Sequence, residues 1–170
     1  MRLAICGHGQ HGKGTVAEWL RDNTPLRYHQ STSEAASELV FSQIGAKYGY
    51  ADPASCFADR RNHRPEWAEI IWRHNQPDGV TLYEDMLGKN DILEGIRQAD
   101  ELKACRRLGI VDWSIWVDAA ARVPAEGSNS CKLRASDCDA VLNNNHEFDR
   151  TILLLRMMCI DLGIPTKPWL

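Results

Sequence analysis

The stretch Gly7-His8-Gly9-Gln10-His11-Gly12-Lys13-Gly14-Thr15 constrains the fold more than any other part of the chain. A short apolar run, Arg2 to Cys6, precedes it, and Val16, Ala17, Trp19 and Leu20 follow at helical spacing. The pattern predicts strand, glycine loop and helix in succession. In such a unit the backbone curls until successive N–H groups and a helix N-terminus face one point, an arrangement suited to phosphate oxygens.

Two motif spellings fit. Gly7, Gly12 and Lys13 satisfy G-x-x-x-x-G-K, and Gly7, Gly9 and Gly12 satisfy the dinucleotide form G-x-G-x-x-G. The lysine directly after Gly12, followed by Gly14-Thr15, favours the mononucleotide form, and no clear acidic strand end follows about 20 residues on. All of Gly7 to Thr15 are then candidates for holding the phosphates of ATP, with Lys13 as their mobile positive charge. The Ser or Thr usual after the lysine is Gly14, so a hydroxyl for Mg2+ is displaced to Thr15 or absent. GKGT endings resemble adenylate-kinase-type loops, in which magnesium is held largely through waters and phosphates.

Further strands and helices alternate along the chain. Strands are expected at Leu26 to Tyr28, Asp91 to Glu94, Val111 to Asp118 and Ala140 to Leu142. Helices are expected from the Ser31-Thr32-Ser33-Glu34 cap to about Ala46, from Pro65 through Trp72, over Leu82 to Leu87, over Ala99 to Leu108, and over Phe148 to Leu162. Pro77-Asp78-Gly79 reads as a turn. This order predicts an α/β fold of the three-layer P-loop NTPase type, a parallel sheet flanked by helices, in one domain over residues 1–170.

Composition narrows the function classes. Hydrophobic residues are 44% and charged residues 25%, and no stretch approaches the roughly 18 apolar residues of a membrane span. The first apolar segment is too short for a signal peptide, so a cytoplasmic protein with no membrane partner is expected. The six cysteines are scattered without a C-x-x-C pair, as for reduced thiols. A net charge of -3 argues against a general electrostatic hold on nucleic acid and leaves room for a local basic patch. The oligomeric state is left open.

Phosphoryl transfer needs positioning and charge neutralisation, so arginines and a carboxylate are expected at strand ends. Glu94 and Arg97 follow one strand, with Glu94 placed to hold water on magnesium and Arg97 to reach a phosphate; a solvated loop is the plain alternative. Asp118 and Arg122 precede a polar segment with Pro124, Gly127, Ser128 and Asn129, read either as a small lid over ATP or as an ordinary loop. Arg60, Arg61, His63 and Arg64 form a basic cluster after Phe57, suited to a substrate phosphate or a nucleic-acid backbone, or else a solvated helix end. Ser31, Thr32 and Glu34 face an acceptor or simply cap a helix. Asn143-Asn144-Asn145 sits where kinases of this fold often frame the adenine.

Together the loop GHGQHGKGT, the stretch DILEGIRQADEL with Gly95, Arg97 and Glu101, and the stretches WSIWVDAAAR and DCDAVLNNN resemble the small phage nucleotide kinases related to deoxynucleoside monophosphate kinases. Compactness and the segment LRYHQSTSEAASELVF resemble, within that group, phage kinases acting on 5-hydroxymethyluridine already in DNA. The resemblance implies transfer of the γ-phosphate of ATP to the hydroxymethyl oxygen, a step in thymidine hypermodification that shields a viral genome from host restriction. It implies roles for Lys13, Arg97 or Arg122 on the transferring group and for a carboxylate, Glu34, Asp59 or Glu94, on the acceptor hydroxyl. Glu94 stands where relatives often carry Asp. A kinase of free (deoxy)nucleoside monophosphates is the alternative. A non-kinase nucleotide switch is disfavoured by the lack of a strand ending in adjacent acids.

Overall fold

The computed structural model describes residues 1–127 and 130–168. Its centre is a parallel sheet of four strands, β1 (Leu3–Cys6), β2 (Ile92–Glu94), β3 (Trp113–Asp118) and β4 (Ala140–Asn143), in the order β2-β1-β3-β4. Leu3 pairs with Ile92 on one side and Trp113 on the other, and Ile115 pairs with Ala140. Chain direction from the middle of the sheet diverges between β1 and β3, which opens a crevice at their carboxyl ends, the usual ligand position in such sheets.

Helices cover both faces, and the pleat of β1 explains the division. Leu3 and Ile5 point to one side, where they pack with Val16, Ala17 and Leu20 of α1 (Lys13–Asn23) and Ile152, Leu155 and Cys159 of α8 (Phe148–Asp161). Ala4 and Cys6 point to the other, against a larger layer of helices. That layer comprises α2 (Thr32–Ala35), α3 (Ser37–Tyr48), α4 (Pro53–Ala58), α5 (Arg64–His74), α6 (Thr81–Leu87) and α7 (Ala99–Arg107). The small side chains Ala4 and Cys6 leave room there for Trp67, Tyr83 and Trp116.

Several expectations are corrected. Leu26 to Tyr28 is not a strand. Asp91 N–H donates to Arg27 O, but the other bonds in this stretch go to side chains: Arg27 N–H to Asp91 Oδ2 and His29 N–H to Asn90 Oδ1. Side-chain acceptors thus take the place of a ladder. The helix expected from Ser31 to about Ala46 is two, because the capping box of Ser31 and Glu34 starts a single turn and a second helix begins at Ser37 after Ala36. Helix α4, started by the Asp52 cap and Pro53, was not anticipated. In β3, Ser114 through Val117 are all buried, so both faces of the strand are covered, as befits an interior strand of a parallel sheet.

Candidate functional site

The backbone between β1 and α1 needs its glycines at two positions. Gly7 has φ +143°, and a Cβ there would lie 2.6 Å from Val117 O. Gly12 has φ +90°, and a Cβ there would run into the Asn144 side-chain amide. Both are conformations and approaches that side chains resist. His11 is wholly buried and ties the loop to the end of β3. Its Nδ1 accepts the Ala119 N–H at 3.1 Å, which places the proton on Nε2, and Nε2 donates to Val123 O at 3.1 Å. Asn144 completes the frame by donating to His11 O at 2.8 Å.

Helix α1 therefore starts at Lys13 directly from the loop, and among the described residues no side chain caps it and no acid occupies its first turn. Its first N–H groups and the positive end of its dipole are free to meet an anion. In front lies an open cavity of about 590 Å³ lined by loop residues Gly9 to Thr15, His11 excepted, by Glu94, Gly95 and Arg97 after β2, and by Arg60, Arg61 and Arg64. Glu18, Tyr28, Ser31, Glu34, Phe57 and Trp67 close its remaining sides. Trp67 is buried, and its indole N–H finds no acceptor among the described residues.

Charge in the cavity is arranged around Lys13. The Lys13 ammonium donates to His8 O at 2.9 Å and lies 3.9 Å from Glu94 Oε1. Burial pushes its pKa down, Glu94 opposes that, and Arg97 adds to it. Glu94 Oε2 accepts the Tyr28 hydroxyl at 3.3 Å, and burial beside Glu94 drives the Tyr28 phenol far above its usual range. Gly95, at φ +110°, passes so close to Thr32 that a Cβ would meet its hydroxyl at 2.6 Å, so only glycine lets β2 end against α2 with Glu94 turned to the cavity.

Glu126 joins three of the lining residues, Gly9, Arg64 and Arg97. Its Oε2 accepts the Gly9 amide at 2.6 Å and Arg97 Nη1 at 2.7 Å, and its Oε1 accepts Arg64 Nη1. Arg97 is fixed independently, since its carbonyl accepts the Lys132 and Leu133 amides.

Of the residues singled out in the sequence, the structure brings Gly9, Gln10, Gly12, Lys13, Gly14, Thr15, Glu34, Arg60, Arg61, Arg64, Glu94 and Arg97 to one cavity. Others lie elsewhere. Arg122 is exposed and donates to Asn144 O rather than lining the cavity. Asp59 is engaged by Tyr50, Asn62 and His63 outside it, and His63 stacks on Tyr48 with ring centroids 3.9 Å apart. Glu101 is buried among Asn75 and Tyr83 in the helical layer. Asn145 braces Asp118 and Ala121. Of the segment read as a lid, Ser128 and Asn129 lie outside the described residues. Glu126, Tyr28 and Glu18 were not singled out, because an isolated acid or tyrosine in a loop or on a helix carries no local motif.

Among the described residues no group of three or more His, Cys, Asp or Glu is placed to hold a metal ion. Thr15 and Glu94 both face the cavity and fit a magnesium held mainly through water and phosphate oxygens. No described helix is long and apolar enough to cross a membrane. Neither a protein-family model nor a curated protein sequence matches the chain.

Proposed function

We propose that the chain is a P-loop kinase that moves the γ-phosphate of ATP to a nucleotide hydroxyl. The observation that carries this reading is the convergence of Lys13, Arg97 and Glu94 on one cavity in front of the uncapped start of α1. Loop amides and Lys13 hold the phosphate chain, and Lys13 with Arg97 neutralises the transferring group as charge spreads over its oxygens. ATP would supply the phosphoryl group, and Thr15 and Glu94 would help hold a Mg2+ that would supply charge neutralisation to the phosphates. The acceptor oxygen bonds to the γ-phosphorus, the bond to the ADP oxygen breaks, and the acceptor proton passes to a carboxylate. Glu94 faces the cavity with one oxygen toward Lys13 and is the group we assign to orient that hydroxyl; Glu34 is tied into the Ser31 cap.

For the acceptor we propose 5-hydroxymethyluridine in phage DNA, phosphorylated as a step in thymidine hypermodification that protects the genome from host restriction. An open cavity with Arg61 exposed on its rim and Arg60 half-buried behind it supports a base turned out of DNA, with flanking phosphates meeting a local basic edge. The second reading, a free deoxynucleoside monophosphate, is favoured by the gathering of Arg60, Arg61 and Arg64 at one cavity, as an acceptor phosphate requires. Labelled ATP offered in parallel with 5-hydroxymethyluracil DNA, thymine DNA and free deoxynucleotides separates them. Label in the hydroxymethylated DNA alone supports the first acceptor, and label only in free diphosphates overturns it.

A further inference from the structure

The Glu126 carboxylate is bound as an anion ligand would be. One loop amide, Gly9 N–H, and two guanidinium groups, Arg64 and Arg97, converge on its two oxygens, and its side chain is only 10% exposed. This donor set, a glycine-loop amide with paired arginines, matches what phosphate oxygens require. A Cβ at position 9 would meet the Arg64 guanidinium, so the absence of a side chain there lets Arg64 lie against the loop in this arrangement. Burial works to raise the Glu126 pKa, but Arg97 and the hydrogen bonds from Arg64, Arg97 and Gly9 hold it at about 2, so the group carries full charge near neutrality.

The arginines are anchored from elsewhere. Arg64 opens α5, and Arg97 Nη1 also donates to Ser130 O at 3.3 Å while the Arg97 carbonyl accepts two amides. Glu126 belongs to the connection that leaves β3, which is tied near the loop through Val123 O on His11. The donors belong to the scaffold, and the carboxylate reaches them from the connecting segment.

We propose that Gly9 N–H, Arg64 and Arg97 form the terminal-phosphate position of the nucleotide site, and that Glu126 is its resident anion, displaced when a triphosphate enters. The inference rests on the kinase reading and adds a competing internal anion to it. Nucleotide entry exchanges one carboxylate for a more highly charged phosphate on the same donors and frees the Glu126 side chain. After the terminal phosphate has gone to the acceptor, Glu126 returns and keeps both guanidinium groups paired.

Calorimetric titration of the wild type, Glu126→Gln and Lys13→Ala with the Mg2+ complex of a non-hydrolysable ATP analogue, and with ADP, tests this. Removing a competing occupant raises apparent affinity by the reciprocal of the fraction of time the site stands open, so for a site open about a tenth of the time the Gln variant is expected to bind the triphosphate analogue about tenfold more tightly and ADP within about twofold of wild type. Equal or weaker analogue binding by a folded Glu126→Gln protein overturns the displacement and leaves Glu126 a structural partner of Arg97. If that variant fails to fold by circular dichroism, Glu126→Asp, with its carboxylate drawn back, is expected to show the same direction with a smaller gain, and no gain overturns the proposal. The kinase reading fails separately: wild type binding neither nucleotide, or Lys13→Ala binding both as wild type does, overturns that reading and this proposal with it.

Discussion

Lys13 and Glu94 stand side by side in the cavity wall, with the ammonium 3.9 Å from Glu94 Oε1 while the Tyr28 hydroxyl donates to Oε2. The pair joins the loop after β1 to the end of its neighbour β2, so strand register fixes the spacing. Glu94→Gln keeps the shape and removes the proton acceptor. Turnover is expected to fall about a hundredfold, the usual scale for losing a general base, with analogue affinity within about threefold of wild type. Steady-state kinetics beside calorimetry check this, and an equal loss in both would reassign Glu94 to nucleotide binding.

Gly7→Ala places a methyl group against Val117 O at 2.6 Å on a residue at φ +143°, where the obstacle is backbone of the adjoining strand. A loss of about 1–3 kcal/mol of stability is expected, read as a fall of several degrees in Tm. Gly14→Ala is the control, because among the described residues nothing lies within 4 Å of a Cβ there and the position is helical. It is expected to leave Tm unchanged or slightly raised. Equal losses in the two variants would contradict the assignment of strain to Gly7.

Glu101 provides a pH prediction remote from the cavity. Burial raises its pKa to about 7, although the Asn75 amide and the Tyr83 hydroxyl, at 2.7 and 2.9 Å, work to lower it. The folded chain therefore keeps a proton that the unfolded chain releases above the ordinary glutamate value of about 4.5. This contribution is present in full below that value, is lost as pH rises toward 7, and stays lost above it. Relative to Glu101→Gln, the wild type is expected to lose stability on the order of 3 kcal/mol between pH 4.5 and pH 8. Urea unfolding of both proteins across that range measures it, and a pH-independent difference would show that Glu101 is ionised in the folded core.

The sheet and its main helices were legible because their signals are local. The apolar run before Gly7, the periodicity of Val16, Ala17 and Leu20, Pro65 at a helix start and the apolar strand before Gly95 each act within a few residues. Leu26 to Tyr28 misled because its outward resemblance to a strand says nothing of Asp91 and Asn90, whose side chains take the amides of Arg27 and of the following His29. The break at Ala36 depends on one capping box spending its helix in a single turn. In the site, Gly7 to Thr15 announce themselves by spacing, and Glu94 and Arg97 by following a buried strand. Glu126 does not, because its meaning comes from Gly9, 117 residues away in sequence, and from Arg64 and Arg97 on two other segments. Arg122 illustrates the converse: it follows a strand end as expected, yet its guanidinium turns to Asn144 O.

Transfer of labelled γ-phosphate by wild type and Lys13→Ala to the same set of nucleotide and DNA acceptors tests the central claim most directly. The wild type is expected to label one acceptor class, and Lys13→Ala, folded by circular dichroism, to lose at least about a hundredfold of that rate for want of charge on the transferring group. Undiminished transfer by Lys13→Ala, or none by the wild type to any acceptor, would contradict it.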